Sequence, residues 1–193
     1  MYLIGDIGNT ETKICLFNDK KKLRVEVKEL KQLNLKKILN IEVNMKQVGS
    51  DRLANAISVI NNKDNFIILD FGTATTFDVV LKNKYKGGII APGVNLSLKT
   101  LVEKAKLIPN TKLTKIKNII GKNTQNAVRS GFYWGYQGLI ENMIKLIEKK
   151  YKKKFKIIFT GGLSHLFKNT TKKKVKVDRD LTIKGLLRLV DLI

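Results

Sequence analysis

The alternation of apolar and polar positions predicts two similar groups of β-strands. Each group begins with a short apolar run, "YLIG" or "FIIL", that leads into Asp-x-Gly, turns through small polar residues and returns as a second strand. This composition and periodicity is typical of a β-hairpin. A third strand follows each hairpin, which indicates a duplicated architecture. The predicted strands are Tyr2 to Asp6, Thr12 to Phe17, Leu23 to Val27, Phe66 to Asp70, Thr75 to Leu81 and Tyr85 to Ile90.

Helices are predicted between and after these strands. The apolar spacing from Leu53 to Ile60 marks one helical face, with Ser50 or Asp51 available to cap its start. A long helix is predicted over Thr124 to Tyr151, and shorter ones after "GGIIAPGVNLSL", at "LSHLF" and in the tail "LTIKGLLRLVDLI". The stretches "FKIIFTGG" and "IEVNMKQV" are predicted as strands and "ELKQLNLKKILN" as a short helix.

The composition is that of a folded protein with a core. At 193 residues, with 43% hydrophobic and 28% charged residues, the chain fits one large domain or two small ones. It has no apolar run near the roughly 20 residues of a membrane span, and "MYLIGDIGNT" lacks a signal peptide's basic start. We therefore expect a cytoplasmic protein with no membrane partner. The single cysteine, Cys15, excludes an internal disulfide, and the single histidine, His165, is expected at the surface or a helix cap.

The net charge of +22 comes mostly from lysine. It is concentrated in "NDKKKLR", "IEKKYKKKFK" and "NTTKKKVKV", at predicted turns and helix ends, where a solvated charge run is the ordinary explanation. The alternative is nucleic acid or an anionic substrate. Nucleic acid readers interleave arginine and aromatics with such runs, whereas only Tyr151 and Phe155 flank a cluster here. Nucleic acid is therefore not expected as a partner.

The two hairpins have the residues of a site for phosphate or a cation. Glycine lets the backbone approach a ligand, threonine and asparagine offer short donors, and consecutive N–H groups can form an anion-binding nest. An aspartate suits a metal ion or a water rather than phosphate. The alternative is that each Asp-x-Gly is only a tight turn. Repetition favours function, since the two copies share three positions: Asp6 with Asp70, Gly8 with Gly72 and Thr12 with Thr76.

Five stretches in order carry a resemblance to a known family: "DIGNTETK", "VGSDR", "DFGTATTFD", "GGIIAPGVNLS" with "NTQNAVRSG", and "FTGG". Together they resemble the type III pantothenate kinases, which belong to the superfamily of acetate and sugar kinases, heat-shock chaperones and actin. The resemblance extends from Asp6 to about Gly162. It implies an α/β fold with two related actin-like (ribonuclease H-like) lobes, each a mixed sheet with flanking helices: a shortened N-terminal lobe at 1–64 and a C-terminal lobe at 65–193.

The resemblance also implies an activity and its residues. The reaction is phosphorylation of pantothenate by ATP to 4'-phosphopantothenate, the first step of coenzyme A biosynthesis, with Mg²⁺ accompanying ATP. Asp51 would be the catalytic base, and Asp70 would hold a monovalent cation, K⁺ or NH₄⁺. A homodimer is implied, in which Thr124 of the neighbouring subunit completes the pantothenate pocket. The implied ATP-binding residues are Asp6, Gly8, Asn9, Thr10, Thr12, Lys13, Thr73, Gly161 and Gly162, and the pantothenate-binding residues are Gly49, Ser50, Asp51, Arg52 and Thr124.

The sequence also departs from the family pattern. The first lobe is short, and the tyrosine and proline that family members place before the "GSDR" motif are missing from "NIEVNMKQVG". Two alternative functions follow: a kinase of another small alcohol on the same fold, and a non-catalytic, basic nucleotide-binding regulatory protein. Taken alone, Ser50 and Asp51 would be a helix cap and "TGG" a strand-to-helix turn. The aromatic residues of "FYWGY" are expected in helix core or dimer packing.

Overall fold

The computed structural model of the protein describes residues 2–7, 12–17 and 38–192, with side chains from 38 to 189. The predicted strand Leu23 to Val27 and most of the predicted helix in "ELKQLNLKKILN" lie outside these residues, as do Gly8, Asn9 and Thr10.

The described strands and helices follow the predicted order closely. The strands are β1 (Tyr2–Ile7), β2 (Thr12–Phe17), β3 (Asn40–Ile41), β4 (Asn65–Phe71), β5 (Ala74–Leu81), β6 (Lys84–Pro92), β7 (Lys156–Gly161) and β8 (Val175–Val177). The helices are α1 (Ser50–Val59), α2 (Val94–Lys104), α3 (Thr124–Tyr151), α4 (Ser164–Phe167) and α5 (Leu181–Leu192).

One predicted strand is wrong and one observed strand was not predicted. Within "IEVNMKQV" the pairing stops at Ile41, and Met45–Gln47 forms a 3-10 helix whose start is capped by the Asn44 side chain, which accepts from the Lys46 amide. The apolar residues there do not alternate along a paired strand. Strand β8 is only three residues long and lies next to a run of lysines, so its sequence alone carries little signal.

Six strands form a mixed sheet in the order β3-β6-β5-β4-β7-β8. Strands β4, β5 and β6 form an antiparallel meander, while β7 and β8 add in parallel beside β4, and β3 pairs in parallel with β6. A mixed sheet with helices on both faces agrees with the predicted α/β fold class, an actin-like (ribonuclease H-like) lobe. Parallel strands β4 and β7 end at the same edge, which places their carboxyl-terminal residues side by side.

Each face of this sheet has its own hydrophobic core. Helices α1 and α5 cover one face, where Leu53 and Ile57 are fully buried with Ile68 of β4. Helix α5 approaches α1 closely because Gly185 has no side chain: a Cβ there would collide with the Ala54 backbone. Burial of this apolar surface is the main term that fixes α1 on the sheet.

Helix α3 covers the other face. Its residues Tyr133, Ile140 and Ile144 are buried with Phe159 of β7. The other aromatics of "FYWGY", Phe132, Trp134 and Tyr136, are partly buried against the same core, so their predicted helix-core packing is confirmed. His165 is exposed, as predicted.

The hairpin β1–β2 forms a separate two-stranded sheet that lies near α5. Strand β3 and helix α1, by contrast, belong to the six-stranded sheet and its helical layer, although both precede residue 65. The division of the chain into lobes at 1–64 and 65–193 stays a prediction.

The two hairpins differ in register after the turn. In β1–β2, Asp6 is opposite Lys13 and Thr12 is opposite Ile7. In β4–β5, Asp70 is opposite Thr76. Sequence-equivalent threonines therefore lie at different places on the two ladders. The repeat holds for the incoming strand and its aspartate, but not for the returning strand.

Candidate active site

Asp51 lies in the first turn of α1. The cap of this helix is Gly49, in extended conformation and without a side-chain hydrogen bond, so the prediction that Ser50 or Asp51 caps the helix is wrong. Asp51 is instead exposed within the first turn, where its negative charge is favoured by the helix dipole. The carboxylate folds back close to Gly49, where a Cβ would collide with it. The structure thus leaves Asp51 exposed at the start of the helix.

Arg52, the next residue, bonds to Asp78 of β5. Its Nε donates to Asp78 Oδ1 over 2.8 Å, and its Nη2 lies 2.7 Å from the same oxygen. The Tyr85 hydroxyl donates to that oxygen over 2.5 Å, and the Thr76 hydroxyl lies 3.4 Å from Oδ2. Asp78 is fully buried, and Arg52 is 11% exposed. These bonds engage the Nε and Nη2 side of Arg52, so that side does not face a substrate.

The electrostatics of this group follow from burial and proximity. Burial raises the pKa of the Asp78 carboxyl, and the Arg52 guanidinium opposes that rise. Burial alone would lower the pKa of Arg52, but its bond and attraction to Asp78 raise it overall. Burial and the nearby Asp78 charge raise the pKa of the Tyr85 phenol far above its usual range. Tyr85 is therefore a protonated donor at neutral pH.

Asp70 lies near the end of β4, at the edge shared with β7. Its Oδ1 faces Gly161, where a Cβ would come within 2.5 Å of that oxygen. Gly161 also has a φ of +81°, a conformation that residues with side chains rarely adopt. Two independent constraints thus require glycine there. The resulting cradle beside a carboxylate fits a weakly held cation, with backbone carbonyls and water as its other ligands.

The second carboxylate oxygen of Asp70 is bonded to α1. Asn55 donates from Nδ2 to Asp70 Oδ2 over 3.1 Å. The other end of the same amide, Oδ1, accepts from the Thr182 hydroxyl of α5 over 2.9 Å. Asn55 is fully buried and Thr182 nearly so. Helix α1 is therefore bonded to both sheet aspartates, through Asn55 and Arg52.

Three predicted nucleotide residues, Thr73, Gly161 and Gly162, lie at the edge of the six-stranded sheet, whereas Asp6, Thr12 and Lys13 lie in the separate β1–β2 sheet. Thr73 is exposed in the β4–β5 turn, and Gly161 and Gly162 follow β7 into α4. The Ser164 hydroxyl donates to the Gly161 carbonyl over 2.7 Å, which holds this turn. Asp6 and Lys13 are directly opposite each other in the β1–β2 ladder. The structure thus brings Asp70, Thr73 and Gly161 to one edge.

Thr124 is exposed at the first position of α3, after the cap Asn123, whose side chain accepts from the Asn126 amide over 2.9 Å. Within residues 38–189, no hydrogen bond joins Thr124 to Asp51 or Arg52. Its predicted role therefore depends on a second copy of the chain.

Sequence reasoning missed four residues that organise this site: Asn55, Asp78, Tyr85 and Thr182. Two of them carry a signal that could have been used. Asp78 interrupts an apolar strand and Asn55 interrupts the apolar face of α1, and a buried polar group requires a partner. The identity of those partners is decided only by the fold.

Comparison with known proteins identifies the family. A family model described as type III pantothenate kinase matches residues 20–146. A type III pantothenate kinase of Pelagibacter ubique (strain HTCC1062) is 50% identical over 247 aligned positions that cover all of both chains. The chain belongs to the type III pantothenate kinase family. The alignment has 247 positions and this protein has 193 residues, so the alignment includes positions at which this protein has no residue.

Other relatives match a shorter part. The type III pantothenate kinase of Paramagnetospirillum magneticum is 43% identical over 74% of this chain and 56% of its own length, and that of Rhodospirillum rubrum is 45% identical over 73% and 56%. The match thus spans about half the length of these two relatives.

Solved structures place this family member among actin-like folds. A Campylobacter jejuni protein described as a conserved Baf family transcriptional activator has a TM-score of 0.67 at 21% identity, covering 99% of this chain and 98% of its own. The Alp12 filament protein has a TM-score of 0.51 at 16% identity, covering 74% and 52%. These similarities concern the fold alone, and they agree with the predicted actin-like fold class. None of the helices that the structure describes is long and apolar enough to cross a membrane.

Proposed function

We propose that the protein transfers the γ-phosphoryl group of ATP to pantothenate, with Asp51 as the catalytic base and Asp70 as the ligand of a monovalent cation. Family membership supports the reaction, which yields 4'-phosphopantothenate and ADP at the start of coenzyme A synthesis. The observation that carries the assignment of residues is the bond between Asn55 and Asp70. It ties the helix that bears Asp51 to the strand that bears the proposed cation ligand.

The reaction requires a correctly placed base, but not a strong one. The primary hydroxyl of pantothenate attacks the γ-phosphorus, the new O–P bond forms, and the bond from the γ-phosphorus to the bridging oxygen of ADP breaks. Asp51 accepts the hydroxyl proton. Because the transition state of phosphoryl transfer is loose, orientation and charge neutralisation matter more than strong basicity. The helix dipole favours a negative charge in the first turn, which suits a carboxylate in this role.

The nucleotide would lie along the edge formed by the ends of β4 and β7. The proposed contacts are the β1–β2 turn, from Asp6 to Lys13, together with Thr73, Gly161 and Gly162. Mg²⁺ would accompany the triphosphate and offset its charge. The cation at Asp70, K⁺ or NH₄⁺, would add positive charge beside the phosphates. Asp70 and the Gly161 cradle fit this ion, and it supplies electrostatic stabilisation when bound.

A homodimer would complete the acceptor pocket. The segment before α3 exposes large apolar side chains: Leu107 is 94% exposed, Ile119 67% and Ile120 77%. The adjacent exposed pair Ile119 and Ile120 supports an association surface at this segment. Thr124 follows the segment directly and would reach the pocket of the neighbouring subunit from there. A cytoplasmic location stays a prediction.

The test is pantothenate-dependent ADP release by the purified protein with MgATP and KCl or NH₄Cl, alongside Asp51→Asn. The variant keeps the size of the side chain but cannot accept the proton, so we expect turnover to fall by about 10²- to 10⁴-fold. ATP binding, measured by calorimetry, is expected to be retained. Glu103→Gln is the control, because this acid is exposed on α2 and pairs only with Lys99 among the described residues.

Two results would contradict the proposal in different ways. If pantothenate does not stimulate ADP release by the wild-type protein, the acceptor is another molecule, and a screen of small alcohols follows. If Asp51→Asn turns over pantothenate like the wild type, the reaction stands but Asp51 is not its base.

A further inference from the structure

Two hydrogen bonds, which run from Thr182 through Asn55 to Asp70, join three elements that are far apart in sequence. They extend from α5 through α1 to the end of β4, with donor–acceptor distances of 2.9 Å and 3.1 Å. Asn55 and Thr182 are buried between helices that otherwise meet through apolar side chains such as Leu53, Ile57 and Leu186.

The chemistry of the three groups fixes the direction of both bonds. An ionised carboxylate only accepts, so the Asn55 amide must turn its Nδ2 toward Asp70. Its Oδ1 then faces Thr182, whose hydroxyl has to be the donor. The carboxylate therefore determines which end of the amide it receives, and the Thr182 hydroxyl, by donating to Oδ1, holds the amide in that orientation. The reverse orientation would place two oxygen acceptors against each other.

Packing alone does not require this arrangement. Burying an amide and a hydroxyl between apolar helices is unfavourable unless both are paired, and apolar side chains of similar size would fill the same space without that requirement. What the polar pair adds is a fixed donor to Asp70 Oδ2. With that oxygen held, Oδ1 is the one directed at the Gly161 cradle.

We propose that Asn55 and Thr182 are positioning residues that orient the Asp70 carboxylate for ligand binding through Oδ1. This inference rests on the proposed role of Asp70 as the cation ligand. It deepens that role by assigning the two carboxylate oxygens to different tasks, one anchored to α1 and one presented to the cation.

The test compares Thr182→Val with Thr182→Ser in the full chain. Valine keeps the shape but removes the donor, and serine restores it. With saturating MgATP and pantothenate, KCl is varied at constant ionic strength with tetramethylammonium chloride. We expect Thr182→Val to raise the half-saturating K⁺ concentration about tenfold, which corresponds to about 1.4 kcal/mol. Thr182→Ser is expected to restore the wild-type value.

The pattern of the kinetic change separates positioning from a general loss of structure. High K⁺ should bring kcat of Thr182→Val close to that of the wild type, with the KM for pantothenate unchanged. A folding defect would instead lower kcat at every K⁺ concentration. Equal K⁺ dependence of Thr182→Val and Thr182→Ser would overturn the inference, as would a kcat that K⁺ does not restore.

A second readout does not depend on turnover. Binding of K⁺ to the ATP complex, without pantothenate, should raise the unfolding temperature, because a ligand that binds only the folded state stabilises it. We expect Thr182→Val to need about tenfold more K⁺ than Thr182→Ser for the same rise. If the wild type shows this rise without pantothenate-dependent turnover, and Thr182→Val still needs more K⁺ than Thr182→Ser, the proposed reaction fails and the inference stands. If K⁺ has no effect on the wild type in either assay, both the cation role of Asp70 and this inference fail.

Discussion

Arg52 and Asp78 form an ion pair in which Nη2 lies 2.7 Å from Oδ1 and the carboxylate is fully buried. The pair joins the first turn of α1 to the centre of β5. Because Arg52 follows Asp51 directly, the ion pair also holds the turn of α1 that carries the proposed base. The tyrosine hydroxyl of Tyr85 supplies a further donor to the same oxygen.

Removal of the buried charge should destabilise the protein strongly. Asp78→Asn leaves the Arg52 guanidinium, 11% exposed, without its counter-charge, and breaking a buried pair in this way costs about 3–5 kcal/mol. Urea unfolding measures the change. Asp64→Asn is the matched control, since the Asp64–Lys156 pair is at the surface and should matter little. Equal small effects of the two substitutions would show that the buried pair is not a structural anchor.

Loss of stability at alkaline pH should depend on Tyr85. The phenol keeps its proton in the folded protein because its pKa is raised there, while an unfolded tyrosine ionises near a pH of about 10. A raised folded pKa contributes stability below the unfolded pKa, and that contribution is lost as pH rises above it. The free energy of unfolding of the wild type should therefore fall more steeply above pH ~10 than that of Tyr85→Phe. Parallel curves for the two proteins would refute the buried, protonated state of Tyr85.

Two adjacent glycines should respond differently to alanine. Gly161→Ala forces a side chain into a φ of +81° and brings its Cβ within 2.5 Å of Asp70 Oδ1, so we expect a loss of about 1–3 kcal/mol and weaker ATP binding. A Cβ at Gly162 meets nothing within 4 Å, and Gly162→Ala should fold with wild-type stability. Thermal unfolding and calorimetry with ATP give the comparison. If both variants retain stability and ATP affinity, the cradle at Gly161 is not required.

The proposed dimer should depend on the segment before α3. Ile120→Ser replaces an apolar side chain that is 77% exposed, and we expect it to shift the protein from dimer to monomer in light scattering after gel filtration. Pantothenate turnover should fall with it if Thr124 acts across the interface. Leu146→Ser is the control, because Leu146 is 48% exposed but lies toward the other end of α3. A monomeric wild type, or a dimer that survives Ile120→Ser, would contradict this assignment.

Much of the fold was predictable because it rests on local patterns. Alternation and apolar runs located β4, β5 and β6, and the long helix predicted over Thr124 to Tyr151 is the observed α3. The repeated Asp-x-Gly stretches indicated two hairpins, and both are present among the described residues. Each of these features depends on residues within one turn or one hairpin of each other.

The order of motifs along the chain also determined the family, and with it the candidates Asp51 and Asp70. The sequence could not decide what those residues touch. Strand β8 pairs with β7 although its three residues give little signal of their own, and the two hairpins share residue types at equivalent positions but differ in register.

The partners of Arg52 and Asn55 were decided by tertiary structure alone. Arg52 meets Asp78 because α1 packs across β5, and Asn55 meets Thr182 because α5 folds back on α1. Burial of apolar surface brings these elements together, and it does not depend on which polar side chains become buried with them. Once buried, each polar group must find a partner among its new neighbours, and only the packed structure determines which one that is.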